Sequence, residues 1–183
     1  MGNMEIRLHG KGGQGAVSAM DMMVAAFAKE GKHASGFPFF GSERRGAPTT
    51  AFVRFGDKPI REKTKIYFPD CLIVFDPSQL DLPMVYAGLK PEGILVANTT
   101  RYKGRKPDEN VKLIGIVNAI KVALEELGMT AVSTCMIGAF AATTHWVKLD
   151  SILSILPDYF QGELLEKNMR CTERGFKETK VME

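Results

Sequence analysis

Apolar and polar positions alternate over Glu5 to Gly10, with Ile6 and Leu8 between polar neighbours, and the run stops at glycine. That pattern predicts a short strand. Beyond a glycine-rich stretch, Ala16, Met20, Met23, Val24 and Phe27 recur at i, i+4, i+7, i+8 and i+11, one face of a helix. Gly31 stands where a helix C-cap glycine belongs. The opening therefore reads as strand, glycine-rich turn, helix.

The next segment, His33 to Ile60, carries Pro38, Gly41, Gly46 and Pro48, and reads as a long loop before Thr49 to Gly56 resumes as a strand. "DCLIVFD", Asp70 to Asp76, is an unbroken apolar run of strand length, as a central strand covered on both faces requires. "PSQLDLPMVYAGL" reads as an irregular turn or short helix, and "GILVANTT" (Gly93 to Thr100) and "KLIGI" (Lys112 to Ile116) as further strands. Ile120, Ala123, Leu124 and Leu127 are expected to line the buried side of a helix. Gly128 to Val147 holds no Asp, Glu, Lys or Arg, but its small and hydroxyl-bearing residues suit a buried helix or a strand-to-helix turn better than a membrane span. The tail from Asp150 to Lys180 predicts two amphipathic helices parted near Pro157. Strands alternating with helices imply an α/β fold: a three-layer α/β/α, Rossmann-like sheet with a Gly-rich first strand-to-helix turn and C-terminal helices, as one domain over residues 1–183.

Composition narrows the function classes. The 24 basic and 21 acidic residues leave a net charge of only +3, so no nucleic-acid partner is called for. Cys71, Cys135 and Cys171 are odd in number and widely spaced, which suits neither a disulfide framework nor a zinc or iron–sulfur cassette. A reducing cytoplasm, no membrane and no signal peptide are the expectation.

Two stretches carry candidate chemistry. "GKGGQG", Gly10 to Gly15, fits G-x-G-x-x-G between a strand and a helix, where glycine backbone and a helix N-terminus together accept an anion. A dinucleotide site also needs an acidic residue about 20 positions on. "KHASGFPFFG" has none, and the loop lacks the G-K-[ST] ending of a Walker A motif. The turn is left with three uses: close packing, a phosphate-bearing ligand, or a partner backbone. The second stretch, "FPFFGSERRGAP", sets Phe37, Phe39, Phe40 and Gly41 beside Glu43, Arg44, Arg45 and Gly46. The aromatics could pack inward while the arginines pair with Glu43 or Glu62; equally, aromatics with arginines are the material of interface hot spots and phosphate clamps. No catalytic residue is identified in this chain. His9, His33 and His145 are too scattered to bind a metal, and no nucleophile elbow occurs.

"HGKGGQGAVSA" followed by "FPFFGSERRGAPTTAFVRF" resembles the gamma subunit of the 2-oxoacid:ferredoxin oxidoreductases, and equally the third domain of the single-chain pyruvate enzymes. "DCLIVFD", "TCMIGAFAATT" and the closing segment with Lys167, Asn168 and Gly175 extend the likeness over most of the chain. The resemblance implies a complex that oxidatively decarboxylates a 2-oxoacid, pyruvate first, with coenzyme A, giving acyl-CoA and carbon dioxide and reducing ferredoxin. It implies that thiamine diphosphate and the iron–sulfur clusters reside in partner subunits, that this chain alone binds no cofactor, and that it is inactive in isolation. Alpha, beta and delta subunits would be its partners, with ferredoxin reached through the complex and a homodimer expected of the isolated chain. Gly10, Gly12, Gly13, Gln14, Gly15 and the Phe40 to Gly46 loop would face the partners and the coenzyme A entrance. The competing reading is a free-standing Rossmann-type oxidoreductase using NAD or a flavin.

Overall fold

The computed structural model describes residues 2–40, 48–101 and 106–183. Its strands are β1 (Met4–Lys11), β2 (His33–Phe40), β3 (Pro48–Gly56), β4 (Cys71–Val74), β5 (Gly93–Asn98), β6 (Val111–Val117) and β7 (Lys180–Met182). The helices are α1 (Ala16–Lys29), α2 (Pro83–Tyr86), α3 (Ala119–Leu127), α4 (Ser133–Thr144), α5 (Leu149–Ile155) and α6 (Gly162–Glu178). All seven strands join one sheet in the order β2-β3-β1-β4-β5-β6-β7. β1, β4, β5 and β6 run parallel, while β3 lies antiparallel to β1, β2 to β3, and β7 to β6. The α/β class expected from the sequence holds, as a mixed sheet.

The stretch read as a long loop contains β2. Pro38 pairs with Ala51 on the outermost strand, the place where a sheet tolerates a residue without an N–H. Gly36 there is a close-approach glycine rather than a breaker, because a Cβ would lie 2.8 Å from Met20 Cγ and 3.0 Å from Val24 Cγ2 of α1. β7 went unread because three residues carry no periodicity; Lys180 to Met182 pair with Ile116 to Ile114.

Alternation along the strands divides the core. Ile6, Leu8, Val53, Phe55, Cys71, Ile73 and Val96 face a helical layer of α1, α3, α4, α5 and α6. Phe27 of α1 stacks on Phe55 with ring centroids 3.9 Å apart and meets Phe140 of α4 edge-on at 6.3 Å. α4 is buried nearly all round, as its lack of charge implied. Gly138 of α4 abuts the Thr172 carbonyl and Gly175 of α6 abuts the Cys135 carbonyl, so neither position has room for a Cβ. Across the same contact Thr134 Oγ1 donates to Asn168 Oδ1 over 3.0 Å. On α3, Ala123 is buried and Ile120 and Leu127 pack against the core as expected, but Leu124 is exposed, and Ala119 and Val122 are buried as well. On the opposite face Leu72, Val74, Leu95, Ala97, Ile114 and Ile116 pack beneath Val85 and Tyr86 of α2 and nearby Leu89.

Candidate functional site

β1 and β4 are adjacent parallel strands whose continuations diverge, β1 through α1 toward β2 and β3, β4 toward β5 and β6. Such a switch in direction opens a crevice beyond the carboxyl ends of the two strands. The glycine turn occupies it. Gly13 (φ 91°) and Gly15 (φ 88°) are left-handed, and Gly15 is the N-cap of α1. No side chain caps α1 and its first turn holds no acid, so the opening amides and the positive helix end have no counter-group from their own helix. A Cβ on Gly15 would lie 2.9 Å from Ser133 Cβ, so the start of α4 is set directly against the start of α1.

The turn is braced from β4. The Lys11 backbone N–H donates to Gln14 Oε1 over 2.8 Å, and Gln14 Nε2 donates to Asp76 Oδ2 over 2.8 Å. Lys11 Nζ pairs with the same oxygen at 3.2 Å and donates to Ser78 Oγ at 2.8 Å. Asp76 Oδ1 accepts from the Ser78 backbone N–H at 2.8 Å, closing the 3-10 turn Pro77–Gln79. Burial pushes the Asp76 carboxyl up, but the hydrogen bonds from Ser78, Gln14 and Lys11 outweigh it and hold the group below the usual carboxylate range. Gln79 Nε2 donates to the Gly10 carbonyl over 3.2 Å, while its buried Oε1 has no partner among the described residues. Asn98 ties the neighbouring strand ends, donating to the Phe75 carbonyl over 2.8 Å and accepting from the Ala119 N–H at 3.0 Å.

The sequence-predicted residues therefore separate. Gly12 and Gly13 are exposed at the crevice, Gly10 is buried, and the Gln14 amide is committed to Lys11 and Asp76 rather than free for a ligand. The backbone of Phe40 pairs with Thr49, Thr49 with Gly10, and Pro48 with Lys11. Both flanks of the aromatic–arginine stretch thus lie at the same end of the sheet as the glycine turn. Gly41, Glu43, Arg44, Arg45 and Gly46 themselves lie outside the described residues.

Asp76, Gln79 and Asn98 escaped the sequence reading. Asp76-Pro77-Ser78 carries a turn signal directly after the β4 run, which could have marked the first; Gln79 and Asn98 carry no local signal. Also missed was a polar row along β1 on the face away from α1. His9 Nε2 accepts from Arg7 Nε over 3.0 Å, and burial, with Arg7 second, pushes the imidazole down to about 3. His9 is thereby neutral at physiological pH, its Nε2 serving as an acceptor.

In a dinucleotide fold the ribose-binding acid ends a parallel strand next to the first. Here that neighbour, β3, is antiparallel, which agrees with the missing acid. Among the described residues no group of three or more His, Cys, Asp or Glu side chains is placed to hold a metal ion, and Cys71, Cys135 and Cys171 are free and buried. No described helix is long and apolar enough to cross a membrane.

Residues 5–178 match the family model described as pyruvate ferredoxin/flavodoxin oxidoreductase. The chain is 48% identical over 183 residues to the pyruvate/ketoisovalerate oxidoreductases common subunit gamma of Pyrococcus furiosus, covering 98% of this chain and 99% of the relative. It is 42% identical over 177 residues to pyruvate synthase subunit PorC of Methanothermobacter marburgensis, covering 97% and 98%. Among solved structures it is similar to the pyruvate oxidoreductase subunit PORC of Thermotoga maritima, with a TM-score of 0.90, 35% identity and 100% of both chains covered.

Proposed function

The chain belongs to the pyruvate ferredoxin/flavodoxin oxidoreductase family, as the gamma subunit of a 2-oxoacid:ferredoxin oxidoreductase of the pyruvate synthase type, and from that premise we propose what it contributes to the complex. It acts as one domain, residues 1–183, in the cytoplasm, and supplies assembly surface and the coenzyme A side of the active site. Alpha, beta and delta subunits are its partners, and thiamine diphosphate and the iron–sulfur clusters are theirs. Thiamine diphosphate supplies the chemistry of decarboxylation; this chain positions and binds. Nothing found supports the free-standing NAD- or flavin-dependent reading.

One observation carries this proposal. The strand register brings the exposed Gly12 and Gly13 backbone and both flanks of the aromatic–arginine stretch to the same end of the sheet, beside a helix start that has no capping side chain and no acid in its own first turn. Exposed amides and a positive helix end favour an anionic group such as a phosphate of coenzyme A. Lys11 is partly neutralised by Asp76 and braces the turn rather than clamping a ligand. Arg44 and Arg45, four to five residues beyond Phe40 in the same stretch, are the proposed clamps on a coenzyme A phosphate or a partner carboxylate.

The test is a tagged chain expressed in its own host and purified anaerobically. Larger subunits should co-elute, and the eluate should reduce a ferredoxin substitute with pyruvate only when coenzyme A is present. The Arg44→Ala/Arg45→Ala double variant should raise the Michaelis constant for coenzyme A or lower subunit recovery at least tenfold. A chain that elutes alone and inert would sink the assembly role, and an unchanged constant with full assembly would remove the arginine clamp.

A further inference from the structure

Resting on the gamma-subunit reading, we propose that the irregular segment from Asp57 to Phe68, with Phe39 and Met84, is a preformed docking face for a subunit of the same complex that presents an apolar hollow rimmed by carboxylates.

The segment follows β3 and has no strand or helix, yet it is held firmly from beneath. Buried Arg54 donates through Nη1 to the Thr64 carbonyl over 2.7 Å and through Nη2 to that of Lys65 over 3.4 Å, and pairs with Glu5 at 2.9 Å. Buried Arg7 donates through Nη1 to the Ile66 carbonyl over 3.3 Å, and through Nη2 to the carbonyls of Val85 and Ala87, each over 2.8 Å. Arg7 thereby joins the segment to α2 and the turn after it. Ile66 plugs into the interior, and Gly88 (φ 77°) packs against the Tyr67 carbonyl. Long irregular segments are most often functional or disordered, and this one is pinned.

That pinning holds apolar groups outward. Tyr67 is 66% exposed, Phe68 65% and Met84 of α2 74%. Phe39 on β2, 43% exposed, extends the face, with Lys65 Nζ 3.5 Å above its ring centroid. Folding alone gives no reason to order two aromatics in water. Partner-binding surfaces use such rigid aromatics as anchors, because little side-chain freedom remains to be lost on association.

Charge selects the occupant. Lys58, Arg61, Lys63 and Lys65 are exposed and pair with no described carboxylate, whereas of the segment's two acids Glu62 is engaged by Arg54 at 3.6 Å. In a two-fold dimer this face would meet itself, cation against cation. The complement is therefore a different subunit, apolar at the centre and acidic at the rim.

The experiment places the photo-crosslinking residue p-benzoylphenylalanine at Tyr67 or Phe68 in the tagged chain, assembles the complex in its host, irradiates it, and identifies the joined peptides by mass spectrometry. The expected product joins this chain to one partner subunit at a peptide holding apolar residues beside carboxylates. Crosslinks to a second copy of this chain, to ferredoxin alone, or to nothing in an intact complex overturn the proposal and leave the gamma-subunit reading standing. A parallel arm uses Phe68→Asp and the Lys58→Glu/Lys63→Glu pair. Each should cut co-purified partner at least tenfold while the isolated chain melts at its usual temperature, and full recovery of partner overturns the docking face. If the unaltered chain brings down no subunit at all, the reading beneath the proposal fails, and the proposal with it.

Discussion

Gln14 Nε2 lies 2.8 Å from Asp76 Oδ2, a hydrogen bond that spans the switch point and makes the turn after β1 dependent on the turn after β4. Asp76→Ala would leave the Ser78 backbone N–H and hydroxyl, the Gln14 amide and the Lys11 ammonium without their shared acceptor. Hydrogen bonds to charged groups are worth roughly 1.5–3 kcal/mol. The melting temperature should fall by about 5–10 °C, as expected for a chain of this size. In the assembled complex the Michaelis constant for coenzyme A should rise further than the turnover number falls, since the turn would position rather than react. Thermal melts and steady-state kinetics check the two parts separately.

Gly13 and Gly15 share a left-handed backbone but not an environment. An added Cβ meets nothing within 4 Å at Gly13 and Ser133 Cβ at 2.9 Å at Gly15. Gly13→Ala should cost only the conformational penalty, about 1–2 kcal/mol. Gly15→Ala should cost more, and Ser133→Gly should recover the excess but not the remainder. Urea unfolding of the two single variants and the double variant measures that coupling.

His9 sets an acid limit on stability. Its folded value of about 3 lies below the ordinary 6.5, so the unfolded chain takes up the proton first, and stability present above pH 6.5 is lost as the pH falls toward 3. At pH 5 the loss amounts to about 2 kcal/mol. His9→Gln, which can still accept from Arg7, should flatten the melting curve between pH 6.5 and 4. Asp76 acts in the same direction lower down: its depressed carboxyl supports the fold above its ordinary value of 3.8 and ceases to as the pH falls through the folded value.

The α4–α6 contact should be among the most sensitive in the core. Gly138→Ala, which raises helix propensity by about 1 kcal/mol, forces a methyl against the Thr172 carbonyl, so net destabilisation of about 1–3 kcal/mol is expected. Asn168→Ala would strand Thr134 Oγ1 and should cost about 1–3 kcal/mol, and Thr134→Val together with Asn168→Leu should cost less than the two singles combined. Denaturant midpoints of Gly138→Ala, Asn168→Ala, Thr134→Val, Asn168→Leu and the double variant decide this.

Local pattern determined the elements whose chemistry is local: the apolar run of β4, the periodic face of α1, the charge-free α4 and the glycine turn that G-x-G-x-x-G places after β1. These follow from side-chain periodicity and backbone freedom, which a sequence displays directly. Tertiary structure decided the rest. Pro38 and Gly36 look like breakers in isolation, but an edge position and the approach of α1 turn them into strand residues, and β7 exists only because β6 offers it an open edge. Gln14 stands in the sequence only as a candidate contact of the glycine turn; the fold binds its amide to Asp76, 62 residues on. Arg7 and Arg54 became tethers only where distant carbonyls converge on them. Spatial pairs of this kind form where strands and loops far apart in the chain are brought together, and no window along the sequence contains both partners.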